Sequence, residues 1–308
     1  MSSVHFIGVD AHCGSSELKA VTMSGRLTHC WQGPTTIPAL TEAIKAVPRP
    51  RRLAVEEGSI SDWLWRNLAP LVDEFIICEP RRNHLIAKEG EKDDPIDAEK
   101  LAHLLRGGYL KPVHHPESLE RMVFKQHVNL YHDHVRHRVA QANRIMGYVR
   151  RHGVFVNEQA FADEAGRDDV LAHLPNLRLI RFNFLLLWDG YVSAARQVDR
   201  SRHRLIRIAR REQQIRRFTA LPGISWIRAA TIFVYLDTPW RFKSKAALWK
   251  YMGIGLERYR SGSGSGSLHV VRRANRTLKT MILGAAKSAV ASGSYPFADQ
   301  YGRWIDQG

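Results

Sequence analysis

Arg52-Leu53-Ala54-Val55-Glu56-Glu57-Gly58 reads as a short apolar strand that runs straight into acid. Glu56 follows the apolar residues directly, so it stands at the strand exit, and alternation sends Glu57 to the other face. Residues 4–9 have the same form and end at Asp10. Glu17–Ser24 and Leu27–Gln32 read as two further strands joined by a Ser24-Gly25 turn. Glu74–Pro80 is a fifth, with Phe75-Ile76-Ile77-Cys78 apolar enough for the middle of a sheet. Helical periodicity over Thr35–Val47 and Asp62–Leu71 separates the later strands. Three early strands followed by helix–strand repeats predict an α/β domain with a mixed sheet over residues 1–115.

A helix then opens at Asp94-Pro95-Ile96-Asp97-Ala98-Glu99-Lys100-Leu101-Ala102. Asp94 suits the N-cap, Pro95 the first helical position, and Gly107-Gly108 the end. Asp94 and Asp97 are three residues apart and share a face. Strand ends open at one edge of a sheet, so Asp10, Glu56, Asp94 and Asp97 can converge there. Converging carboxylates repel one another. Mg²⁺ or Mn²⁺ sustains such a set through carboxylate and substrate phosphate, in support of phosphoryl transfer. The plainer reading makes Asp94 a helix cap and Glu57 a surface acid.

Charge divides the chain. Of its 46 Lys and Arg residues, 13 fall in residues 1–108 against 15 acids, leaving 33 against 15 in the remaining 200. A basic excess confined to that part points to a polyanion, most simply nucleic acid. No apolar run reaches the length of a membrane span, and no signal segment is expected. Cys13, Cys30 and Cys78 lack metal-ligand spacing and read as reduced thiols of a cytoplasmic protein.

The middle region, 116–218, is helical. One helix covers Pro116 to about Arg151; a second runs from Leu177 to Phe218, with Gly153–Asp169 as an irregular connection. Phe184, Tyr191, Val198 and Leu205 recur every seven residues, with Leu187 or Trp188, Ala194 or Ala195, and Ile208 between them. That repeat predicts a coiled coil, within the chain or between chains. Arg202, Arg204, Arg207, Arg210, Arg211, Arg216 and Arg217 crowd the end of the second helix beside the lone acid Glu212, a density that suits a nucleic-acid backbone. His127, His132, His134 and His137 lack the companions of a zinc site and are expected to line an RNA- or protein-facing helix. Residues 219–308 begin at Leu221-Pro222-Gly223-Ile224-Ser225, a glycine turn before a helix whose backbone N–H groups can hold a phosphate. Helices follow at Trp226–Leu236, Lys245–Gly253 and Arg276–Ala291, and residues after Ser292 read as a tail. Between the last two helices lies Tyr259-Arg260-Ser261-Gly262-Ser263-Gly264-Ser265-Gly266, which on composition alone is a flexible linker.

Gly8-Val9-Asp10, Ala54-Val55-Glu56-Glu57-Gly58 and Lys92-Asp93-Asp94-Pro95-Ile96-Asp97-Ala98 resemble the Asp-Glu-Asp-Asp motif of the bridge-RNA-guided insertion-sequence transposases. The resemblance continues through Leu221–Ser225, Arg241-Phe242-Lys243-Ser244-Lys245, Tyr251-Met252-Gly253 and Asn275 with Leu278-Lys279. It departs at Asp93, where Thr or Ser is usual, at Lys279, where Arg is usual, and at Gly255-Leu256-Glu257, which lacks the expected Pro.

The resemblance implies a RuvC-like, RNase H-type first domain whose metal ligands are Asp10, Glu56, Asp94 and Asp97. It also implies a C-terminal transposase domain whose nucleophile is Ser261, with Ser263 and Ser265 open to the same role. A structured guide RNA, donor and target DNA, and a tetramer follow from it, with Gly223, Arg241 and Lys243 joining the arginines on nucleic acid. Because acids and serine fall in different domains, a composite site is expected, its parts from one subunit or two. Two other functions fit parts of the pattern. A hydrolytic DNA nuclease of the junction-resolving kind needs the acids but not Ser261; a non-catalytic nucleic-acid-binding oligomer needs only the arginines.

Overall fold

The computed structural model describes residues 4–79, 94–116, 118–259, 267–293 and 296–307, with the backbone alone for 94–96, 259 and 267. It forms two compact units, Met1–His115 and Pro116–Gly308.

In the first unit, β1 (His5–Ala11), β2 (Ser15–Thr22) and β3 (Leu27–Pro34) form an antiparallel meander. Helix α1 (Ile37–Ala46) leads to β4 (Arg51–Glu56), and α2 (Ser61–Leu68) to β5 (Glu74–Cys78). Both later strands join in parallel, giving the order β3-β2-β1-β4-β5. The mixed sheet is therefore as the alternation predicts. Thr36 caps α1, the Ala39 N–H donating to its hydroxyl, so that helix starts two residues after Thr35. Leu68 ends α2, and Ala69-Pro70-Leu71 continues as one 3₁₀ turn.

The two sheet faces separate by residue parity. Ile7, Val9, Leu18, Leu53 and Val55 pack with Leu40, Ile44, Leu64 and Leu68 of α1 and α2. Phe6, Val21, Ala54 and Cys78 face the other way, onto Leu101, Ala102 and Leu105 of α3 (Asp94–Arg106). Gly8 lets α3 lie directly on β1: a Cβ there would stand 2.1 Å from the Ala98 carbonyl oxygen and 2.6 Å from the Ala102 nitrogen.

The second unit is mainly helical. Helices α4 (Leu119–Arg150) and α6 (Arg178–Ala209) form an antiparallel pair. Phe124 and Val128 of α4 pack with Leu205 and Ala209, while Ala142, Ile145 and Val149 pack with Phe184, Trp188 and Tyr191. The heptad face of α6 is thus covered by α4 of the same chain, Trp188 and Ala194 taking the intermediate positions. Ser201 is buried in that stripe as well.

Four stretches differ from the sequence expectation. Gly153–Asp169 is not irregular throughout: it holds a 3₁₀ turn at Glu158–Phe161 and the start of α5 (Glu164–His173). Only Val170 of α5 is buried, so the helix has little apolar periodicity, and Asp163 starts it by accepting from Gly166 N–H. The second long helix stops at Ala209; after a turn, α7 (Gln213–Thr219) brings Ile215 back into the core against α8 (Trp226–Leu236). The residues after α9 (Lys245–Tyr251) are not loop alone: β6 (Leu256–Tyr259) and β7 (Ser267–Val270) pair as an antiparallel ribbon before α10 (Arg276–Ala291). The expected tail contains α11 (Phe297–Asp306), packed on α10. Among the described residues no helix is long and apolar enough to cross a membrane.

Candidate functional site

In the first unit the acids gather by register. Asp10 lies two residues beyond Gly8 on β1, hence on the face that α3 covers. Glu56 stands two beyond Ala54, on the same face of the neighbouring parallel strand. The C-terminal end of α3 is fixed by Arg106, whose Nη1 donates to the Met23 carbonyl at 3.2 Å, past the end of β2. Thr22 pairs with His5 at the start of β1, so α3 runs antiparallel to β1. Its first turn, with Asp94 and Asp97, therefore lies toward the end where β1 and β4 finish.

Asp10 is 23% exposed and sits 3.3 Å from His12 Nε2. Asp97 is more open and lies 3.9 Å from Lys100 Nζ. Glu56 and Glu57 are both exposed. Sequence reasoning missed Glu17, which lies directly opposite Asp10 across the β1–β2 pair and is only 7% exposed. Opposed residues of an antiparallel pair share a face. The hairpin count from Asp10 across residues 12–14 is the signal that points to it.

The donor set is hard oxygen, the chemistry that suits Mg²⁺ or Mn²⁺. Among the described residues, no three His, Cys, Asp or Glu side chains close on one point as metal ligands do. The side chain of Asp94 lies outside those residues.

The second unit presents cations. All seven arginines from Arg202 to Arg217 are exposed, and among the described residues none of them forms an ion pair. Arg210 lies over the Trp226 ring at 5.8 Å. The Leu221–Ser225 turn joins α7 to α8. Gly223 has φ +75°, and a Cβ on it would meet the Ala285 carbonyl oxygen of α10 at 2.1 Å, so only glycine fits. Ser225 caps α8, accepting from Arg228 N–H at 3.4 Å. Arg228, unremarked in the sequence, donates from Nη1 to the Gly223 carbonyl at 2.6 Å and the Ser288 hydroxyl at 2.9 Å. The turn, Arg228 and Ser288 line an open depression at the positive end of α8.

Arg241 and Lys243 have different surroundings. Arg241 Nη2 donates to the Tyr235 carbonyl at 3.0 Å, and its guanidinium stacks on Phe242 and Tyr251 at 4.5 and 4.6 Å. Lys243 is exposed just before the Ser244 cap of α9. Asn275 caps α10 and donates to the Tyr251 hydroxyl at 3.3 Å, tying α9 to α10. Ser261, Ser263 and Ser265 lie outside the described residues, between β6 and β7.

Three of the four histidines of α4 bond groups of neighbouring helices. His132 Nε2 lies 2.9 Å from the Thr231 hydroxyl, and His127 and His134 bond Ser201; of the four, His137 alone is exposed.

No curated protein matches the chain. Residues 215–302, from α7 into α11, match the model of the transposase IS116/IS110/IS902 family. That is under a third of the 308 residues, and it supports a DNA transposase of the insertion-sequence kind.

Proposed function

We propose that this chain is the recombinase of an insertion sequence, cutting and rejoining DNA through a covalent phosphoserine link. The family match over residues 215–302 carries the reading. The order β3-β2-β1-β4-β5, with Asp10 and Glu56 at adjacent strand ends on the α3 face, supports an RNase H-like first unit of the RuvC kind.

In this mechanism the Ser261 hydroxyl attacks a DNA phosphorus. An Oγ–P ester forms as one P–O bond of the strand breaks, the hydroxyl proton passes to a carboxylate base, and the departing oxygen takes a proton. Attack by the hydroxyl of a second strand reverses the step and rejoins DNA. Serine is a weak nucleophile without such a base. Asp10, Glu56, Asp94 and Asp97 are the residues that would hold Mg²⁺ or Mn²⁺, and the ion would supply positive charge to the phosphate oxygens during transfer. The exposed arginines from Arg202 to Arg217, on α6, α7 and the turn between them, with the turn at Gly223 and Lys243, bind phosphates of the nucleic acid. The guide RNA and the tetramer rest on the sequence resemblance.

Trapping on a denaturing gel tests this. Wild-type protein with its flanking non-coding RNA, Mg²⁺ and nicked DNA should give a protein–DNA adduct that disappears in both Ser261→Ala and Asp10→Ala. Cut DNA without adduct, persisting in Ser261→Ala, would instead make the chain a hydrolytic nuclease that needs only the acid edge.

A further inference from the structure

The ribbon β6–β7 carries its apolar side chains outward. Leu256 pairs with Val270 and Arg258 with Leu268, so all four share one face. Leu256 is 55% exposed, Leu268 58% and Val270 49%. Glu257 and His269 form the opposite face. A lone two-stranded ribbon is marginally stable and does not ordinarily present its apolar side to water. This one is pinned at its base. Gly255 N–H donates to the Trp249 carbonyl at 2.9 Å, Val271 N–H donates to the Gly255 carbonyl at 3.0 Å, and Val271 itself is buried. The ribbon is thus held in place on α9 while its far face is left open.

The charge around that face names what covers it. Arg258 lies on it, and Arg272 and Arg273 follow β7 after the buried Val271; all three are exposed, and among the described residues none has an ion pair. The only acid on the described strands, Glu257, is on the other side. A basic rim around small apolar side chains fits duplex DNA: the major groove, about 12 Å wide, admits a two-stranded ribbon. There apolar side chains meet thymine methyls while arginine reaches guanine edges or phosphate.

We propose that the Leu256–Leu268–Val270 face of the ribbon, with Arg258, lies in the major groove of the DNA on which the chain acts. The proposal rests on the transposase reading and adds to it a groove-contacting element in the matched region. It makes the ribbon a groove contact whose two strands flank the proposed serine in sequence.

Site-directed photo-crosslinking tests it. Leu268→Cys and His269→Cys, each in the full chain with Cys13→Ser and Cys30→Ser, are coupled to an azidophenacyl group and irradiated with a mixed-sequence 40-base-pair duplex at low salt. Cys13 and Cys30 are the exposed thiols and Cys78 is buried, so labelling is confined to the new position. Position 268 should crosslink DNA about fivefold or more over position 269, and Arg258→Ala should lower that yield, because neighbouring residues on a strand face opposite sides. Equal yields at the two positions would overturn the ribbon proposal. So would a crosslink from 268 to a second copy of the protein, since the face would then be a subunit contact. If the unlabelled protein retains no duplex on a filter even with its flanking non-coding RNA present, the transposase reading falls along with the ribbon proposal. Retained duplex with no preference for 268 removes the ribbon proposal alone.

Discussion

The two units hold their functional groups in opposite ways. In the first, a few acids are fixed by strand register and by one helix seated on a glycine: Asp10 follows Gly8 by two residues, and Gly8 touches the backbone of α3. In the second, many arginines stand exposed on α6 and α7, where no single neighbour determines their position. Placement by register is all-or-none, because a displaced backbone moves every group at the sheet end. Placement by number is graded. Single substitutions should therefore be severe in the first unit and mild among the arginines of the second.

The sharpest break of that contrast is Gly8→Val. The new side chain would collide with backbone at Ala98 and Ala102, which no rotamer change relieves. Overpacking of this kind should cost about 3 kcal/mol. Denaturant melting of the full chain should show that loss, and adduct formation should vanish with it, although no acid has been altered. Gly58→Ala is the control, since nothing lies within 4 Å of a Cβ there; it should melt like wild type. A mild Gly8→Val would mean that α3 is not held by this contact.

Why the first unit was legible and parts of the second were not follows from the same physics. Alternation in β1 and β4 makes face and strand end countable, so Asp10 and Glu56 could be placed from sequence. Glu17 escaped because its position depends on the β1–β2 register, which a strand pattern does not show until the turn is fixed. In the second unit the heptad of α6 was readable, but the break after Ala209 was not. Arg210, Arg211 and Glu212 are good helix formers, and the chain turns there because Ile215 gains burial against α8. The ribbon was hidden for a related reason: β6 and β7 are four residues each and flank a Ser-Gly run that reads as linker. Arg241 looked like a phosphate ligand by charge, yet its guanidinium lies on the Tyr235 carbonyl and two rings, surroundings that only the fold supplies.

The graded half of the contrast is sharpened by the arginines. Arg204→Ala alone should weaken binding to a duplex by less than about tenfold, whereas Arg204, Arg207, Arg211 and Arg216 replaced together should weaken it well beyond that. If each contacts one phosphate, the slope of log affinity against log salt should fall by about 3 to 4. Filter binding at several salt concentrations measures both quantities. A quadruple variant with the wild-type slope would remove this surface from the nucleic-acid interface.

The smallest expected effect lies inside the second unit, where one histidine is fixed by packing much as the acids are fixed by register. His132 bridges α4 to Thr231 of α8, and Thr231 in turn donates to the Ile227 carbonyl at 2.8 Å. Burial, and then the charge of Arg136, hold the His132 pKa below its ordinary 6.5. The unfolded chain therefore binds this proton first. Stability from keeping the ring neutral is fully present above about pH 6.5, and it is lost as pH falls from there toward the lower folded value. His132→Gln keeps a donor for Thr231 but cannot titrate. Melting of wild type and variant in parallel between pH 7.5 and 5.5 should show a gap that narrows on the acid side, because the other histidines contribute equally to both. A gap constant across that range would mean that His132 takes up its proton as readily in the folded chain as in the unfolded one, and that the α4–α8 contact tolerates charge on this half-buried ring.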